Sequence, residues 1–133
     1  MFLNMLNKKE GKNFLELAEI AMEVDGVVQE SEKAIFNTYR MELELQEYTI
    51  QRKEYKELVT AFQASTKKVK RAIIIELAGV LDADEIIGEE EEKWINALGV
   101  DLGFRTAEIK KMVRWTQDFN DLLAEGYEYI TKR

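Results

Sequence analysis

Apolar residues recur at three- and four-residue steps along most of the chain, which places them on one face of an α-helix. The strongest stretch runs from Lys67 to Leu81 and contains three consecutive isoleucines, which also fit a buried strand. It is too long for a strand and its helical spacing continues, so we predict a helix. Because its apolar residues lie on all sides, we expect it to be the central, most buried helix.

Capping residues and glycines give the predicted helix boundaries. The predicted N-terminal caps are Asn13, Gln29, Thr49, Ser65 or Thr66, and Thr106. The predicted breaks or loosened positions are Gly26, Gly99, Gly103 and Gly126, with a further connection at residues 43–46. The chain contains no proline that would interrupt a helix. The pattern predicts an all-α fold, a compact helical bundle forming a single domain over residues 1–133.

The pattern repeats after a shift of 59 positions. A helical stretch runs into an acidic turn in which a glutamate follows an aspartate by seven residues, first at Asp25 and Glu32 and then at Asp84 and Glu91. Apolar positions on both sides of the turn also match at this shift. We therefore predict two related helical hairpins around a shared core, joined by connecting helices and followed by a C-terminal helix. The predicted pseudo-repeats are residues 12–43 and 71–102.

Carboxylates at the two turns are the candidate ligands of a divalent cation. Carboxylates that face one point repel each other unless a cation or a basic side chain compensates. Because the chain has no histidine or cysteine, a metal ion would need oxygen ligands, which favours calcium or magnesium. The candidate ligands are Asp25, Glu32, Asp82, Asp84 and Glu91. The second turn is the better candidate because Asp82 and Asp84 lie close together. Ala21 and Val80 at the opening ligand positions argue against an EF-hand.

The same carboxylates also fit ordinary helix-end chemistry that needs no ion. Asp25 and Asp84 can close their turns, and Glu32 and Glu91 stand where the third helical residue bonds back to the N-cap amide. The helix after the second turn is predicted to begin among Glu89–Glu92, and glutamates in a first helical turn are also favoured by the helix dipole. The sequence leaves both interpretations open.

Composition narrows the classes of partner and activity. A net charge of −7 disfavours nucleic acid, and no apolar run approaches the ~20 residues of a membrane span. The apolar opening segment, residues 1–6, is expected to dock or fray, and leaves peripheral membrane association open. Without histidine or cysteine, a carboxylate-metal hydrolase is the remaining enzyme alternative. The apolar spacing of the last helix predicts an inward stripe from Ile109 to Leu123. Trp115 lies beside this stripe and is a candidate anchor for another protein. The oligomeric state is not specified.

Residues 17–28, followed by Glu32 and Ile35, resemble the signature of the tellurite-resistance TerB-like domain family. Residues 77–94 are similar to the second acidic turn of that family, and the resemblance covers residues 12–123. It implies a non-catalytic interaction module of a bacterial stress-response system, cytoplasmic or associated with a membrane. The expected partner is another protein.

The resemblance also implies metal binding at the acidic turns. Carried over by position, the site residues are Asp25, Glu32, Asp84 and Glu91. Glu85 stands where glycine is usual, which weakens the prediction of two matched sites. The alternative is a structural accessory protein with no metal site.

Overall fold

A computed structural model of the chain describes residues 1–83 and 86–132, and within these ranges all regular elements are helical. A short 3-10 helix at Leu3–Met5 precedes the α-helices. These are α1 (Lys8–Glu23), α2 (Glu30–Glu42), α3 (Tyr55–Phe62), α4 (Lys67–Leu81), α5 (Glu89–Asp101) and α6 (Thr106–Thr131). The structure confirms the predicted all-α bundle.

The isoleucine-rich helix, α4, is the centre of the bundle, as its apolar content predicts. Ile73, Ile74 and Leu77 are completely buried, and α4 contacts α1, α2, α5 and α6. The helix that fitted a strand by composition is therefore the element around which the others pack.

Helix boundaries recur with the period seen in the sequence. α1 and α4 begin 59 positions apart, at Lys8 and Lys67, and α2 and α5 begin 59 positions apart, at Glu30 and Glu89. In both hairpins the second helix therefore begins 22 residues after the first (30 − 8 and 89 − 67).

Three predicted N-terminal caps, those of α1, α3 and α6, are wrong. α1 starts earlier than expected because Asn7 caps it: Asn7 Oδ1 accepts from the Glu10 N–H at 2.8 Å, and the Asn7 N–H donates to Glu10 Oε1 at 2.9 Å. Asn13 is instead buried inside α1. α3 starts at Tyr55 rather than after Thr49, because residues 43–54 form a long irregular connection.

The glycines have different structural roles. Gly26 (φ +78°) and Gly103 (φ +101°) adopt the left-handed conformation and lie at helix ends, as predicted. Gly99 and Gly126 do not break helices, because α5 and α6 continue through them. Gly99 allows α5 to pack closely against α6, since a Cβ there would lie 2.4 Å from Ile109 Cδ1.

α6 begins at Thr106, with Arg105 rather than Thr106 as its N-cap. Among the helices formed by the described residues, none is both long and apolar enough to cross a bilayer.

Candidate functional site

The first acidic turn is held together by its own carboxylates. Asp25 Oδ1 accepts from the Val27 N–H at 3.0 Å, and Glu32 Oε1 accepts from the Gln29 N–H at 2.8 Å. Glu32 is buried although it lies in the first turn of α2. These contacts are the helix-end chemistry that the sequence allows.

The second acidic turn repeats part of this arrangement. Glu91 is buried, and its Oε1 accepts from the Gly88 N–H at 2.9 Å, as Glu32 does from Gln29. Asp82 follows α4 and is also buried, with its Oδ2 accepting from Asn120 Nδ2 on α6 at 2.9 Å. The predicted ligand Asp84 and its neighbour Glu85 lie outside the described residues.

No group of three or more acidic residues within the described ranges has the geometry to hold a metal ion. Among the described residues, Asp25 and Glu32 belong to no such group. The second turn includes Asp84, and its predicted calcium or magnesium site stays a prediction.

A buried carboxylate on α1 organises the connection between α2 and α3. Glu16 is 1% exposed; its Oε2 accepts from Tyr48 Oη at 2.5 Å and from the Gln51 N–H at 2.8 Å. Its Oε1 accepts from the Lys53 N–H at 3.1 Å, while Lys53 Nζ donates to Asn13 Oδ1 at 2.9 Å. One helix face thereby fixes the irregular segment 43–54.

Burial alone would raise the pKa of the Glu16 carboxyl. The hydrogen bonds from Gln51, Tyr48 and Lys53, with the nearby Lys53 charge, outweigh it and lower the pKa. Glu16 was not among the site residues predicted from the sequence. The available signal was a glutamate between Leu15 and Leu17 in an apolar run.

The opening segment docks onto the bundle. Leu3 is fully buried, and its N–H donates to Glu42 Oε2 at 3.0 Å. The Phe2 ring lies 6.0 Å from the Trp115 ring, which stacks on Phe119 at 5.4 Å. A cleft of about 190 Å³ opens beside these rings, between the opening segment, α4 and α6.

From Trp115 onward, α6 exposes apolar side chains. We call this surface the α6 stripe. It consists of Trp115, Phe119, Leu122, Leu123, Tyr127, Tyr129 and Ile130. Phe119 is partly covered, and the other members are 44–80% exposed. The prediction that Leu123 faces inward is wrong.

The stripe is exposed from Leu122 onward because α6 extends beyond the end of the helix on which it packs. Thr116 Oγ1 donates to the Ile75 carbonyl oxygen at 3.3 Å, and Asn120 reaches Asp82, the residue after α4. Beyond Asn120, α6 has no turn of α4 beside it, yet it remains helical to Thr131. Its apolar spacing therefore continues past the core.

A groove of about 570 Å³ runs between α5 and α6. Ile95, Ile109 and Val113 contribute apolar surface to it, and Glu89 and Glu92 lie on its exposed edge. These two glutamates are the carboxylates in its lining. The groove offers apolar surface with a mixed charged edge.

Scans against protein-family models, curated proteins and solved structures find no match to this chain. The TerB-like resemblance therefore rests on the residues quoted for it.

Proposed function

We propose that this protein is a non-catalytic interaction module that binds another protein through the α6 stripe. The observation that carries this proposal is the set of six large apolar side chains on α6 from Trp115 onward, each at least 44% exposed. Single exposed apolar residues are common on protein surfaces, but a contiguous group of them is typical of interaction sites. Trp and Tyr, which anchor many interfaces, are both present.

Physical reasoning supports a partner at this surface. Covering one Leu, Ile or Tyr side chain contributes roughly 1.5–3 kcal/mol relative to leaving it in water. A helix without tertiary contacts is also marginally stable, because most helical stability in proteins comes from packing. A partner that covers the stripe would bury apolar surface of both proteins and would stabilise the last turns of α6.

The biological context that we propose is a TerB-like module in a bacterial stress response, located in the cytoplasm. Its support is the signature at residues 17–28 together with the all-helical fold and the recurring hairpin starts. In this proposal Glu32 and Glu91 hold the hairpin turns, and a divalent cation at the second turn would add to that structural role. A carboxylate-metal hydrolase is less well supported, because the glutamates of the α5–α6 groove lie on its open edge.

Site-specific photo-cross-linking tests the docking surface. A photoreactive amino acid replaces Leu122 in the stripe or, as a matched control, Val100, an exposed apolar residue of α5. In cells that express the protein, we expect a discrete adduct from position 122 and none from position 100. Adding Ile130→Ser should remove the adduct, since it deletes an 80% exposed stripe residue without touching the core.

Equal adducts from both positions, or none from position 122, would contradict the proposal. The structural accessory alternative predicts the second of these results. An adduct with twice the mass of the chain identifies a second copy as the partner.

A further inference from the structure

Acidic and apolar side chains alternate along one edge of the α6 stripe. Trp115, Asp118, Leu122, Glu125 and Tyr129 follow one another at steps of three and four, so they form one row on the helix. Tyr129 Oη lies 3.4 Å from Glu125 Oε1, which is contact along this row. A partner covering Leu122 would therefore meet Asp118 and Glu125.

Between Trp115 and Thr131, every charged side chain of α6 is acidic. Asp118, Asp121, Glu125 and Glu128 are its charged residues, and no lysine or arginine occurs between Trp115 and Thr131. Among the described residues, none of these four carboxylates takes part in an ion pair. The stripe thus presents apolar side chains beside an excess of negative charge, with basic side chains only at its two ends, at Arg114 and Lys132.

We propose that the segment bound by the α6 stripe is a basic amphipathic helix, an inference that rests on the proposed docking function. Lysines or arginines beside its apolar face would pair with Asp118 and Glu125, since complementary charge favours the correct partner and fixes its register. The same carboxylates disfavour phosphate backbones and anionic lipids. They also disfavour a second copy of α6, which would bring like charges together.

The shape of the surface favours a helix over other segments. From Trp115 to Ile130 the stripe is about 22 Å long at 1.5 Å per residue, enough for a partner helix of roughly four turns. Side-chain ridges on a helix accept the ridges of another helix. The described ranges contain no strand edge that a partner strand could extend. The cleft beside Phe2 and Trp115 would take one apolar anchor of the partner.

Three synthetic peptides test the inference with the full chain. One is an 18-residue amphipathic helix with leucines on one face and lysines beside them. The second carries glutamates in place of the lysines, and the third carries glutamines. Calorimetry measures their affinities at low and high salt. We expect the lysine peptide to bind at least about tenfold more tightly than the others, with an affinity that falls as salt rises.

Variants locate the interaction on the protein. D118N/E125Q should weaken binding of the lysine peptide about tenfold and reduce its salt dependence. The control E47Q/E57Q makes the same charge change at exposed residues elsewhere and should leave binding unchanged. All four positions are exposed, and circular dichroism confirms that each variant is folded. The salt dependence of the unmodified protein is a readout that needs no variant.

Other results would overturn the inference in distinguishable ways. Equal binding of all three peptides, or preference for the glutamate peptide, removes the basic partner. Binding to vesicles of anionic lipid, or a dimer that Leu122→Ser dissociates, assigns the stripe to a different occupant. If no peptide binds while position 122 still cross-links to a partner, only the partner chemistry fails. If cross-linking fails as well, the docking function fails with it.

Discussion

Two opposed effects, burial and hydrogen bonding, act on the charge of the Glu16 carboxylate. Burial disfavours its charge, yet a hydroxyl and two backbone N–H groups donate to its oxygens. Because those donors come from the segment between α2 and α3, the carboxylate replaces the regular structure that this segment lacks. With these donors, the charged form of Glu16 is favoured over the neutral form more strongly in the folded protein than in the unfolded chain.

We expect Glu16→Gln to lower the free energy of unfolding by about 1–3 kcal/mol near neutral pH, because the amide loses charge-assisted hydrogen bonds. Since folding lowers the pKa of Glu16, its contribution is present above the ordinary value of 4.5 and is lost as pH falls through the lower, folded-state pKa. The difference between the two proteins should therefore shrink at acid pH. Urea titrations at several pH values measure it.

Glu47→Gln, at an exposed position of the same segment, is the control and should have little effect. A difference between Glu16→Gln and the unmodified protein that stays constant down to pH 2 would contradict the assigned role.

Gly99 provides a second test at this scale. A Cβ at this position would lie 2.4 Å from Ile109 Cδ1 and 2.5 Å from Cγ1, so α5 and α6 would have to move apart. Gly99→Ala should cost about 1–3 kcal/mol of stability, as overpacking does. Gly126→Ala is the matched control, because no atom lies within 4 Å of a Cβ there and alanine favours the helix. Thermal melts in which Gly99→Ala matches or exceeds the unmodified protein would refute the packing explanation.

At the scale of elements, hydrophobic periodicity predicted the helices better than their ends. The α4 helix, its Thr66 cap, the α2 cap at Gln29 and the start of α5 among the glutamates all agree with the sequence. The predicted α1 cap, Asn13, was wrong although the sequence contains a signal for the correct one, since Asn7 and Glu10 have capping-box spacing. The predicted cap Thr49 was wrong because residues 43–54 do not form a helix. Two of their backbone N–H groups donate instead to Glu16 on α1, which is distant in sequence.

The candidate site was predictable only in part. Glu32 and Glu91 were identified as third-position residues of α2 and α5, since that pattern is local in sequence. The contact of Asp82 with Asn120 depends on how α6 packs against the end of α4, which periodicity does not specify.

The cation site at the second turn, still a prediction, has a direct test. If it exists, calcium should raise the melting temperature, since an ion that binds only the folded state stabilises it by about 2.7 kcal/mol at one hundred times its dissociation constant. Asp84→Asn or Glu91→Gln should abolish this rise. Glutamine keeps an oxygen for the Gly88 N–H, so Glu91→Gln changes the charge while retaining the cap.

Asp25→Asn removes a carboxylate from the first turn while keeping an oxygen for the Val27 N–H, and it should leave the calcium response intact. A melting temperature that calcium does not alter would contradict the cation site and leave the backbone hydrogen bonds of Glu32 and Glu91 in place.

In the molecule as a whole, the two hairpins form most of the core, and α6 contributes the exposed apolar stripe. Periodicity alone predicted that Leu123 would be buried, because the apolar spacing of α6 continues without a change. Burial also requires a neighbour, and α4 ends beside Asn120. The extent of a partner helix is a property of tertiary structure, so the sequence pattern could not distinguish a core face from a docking face.

The attachment of residues 43–54 to Glu16 has a consequence for hydrogen exchange. The Gln51 and Lys53 amides belong to no helix, yet they should exchange with solvent deuterium about as slowly as core amides, because release requires separation from α1. The intervening Arg52 N–H donates to none of the described residues and should exchange rapidly. Two slow amides flanking a fast one would make this coil a reporter of local opening at the α1 surface.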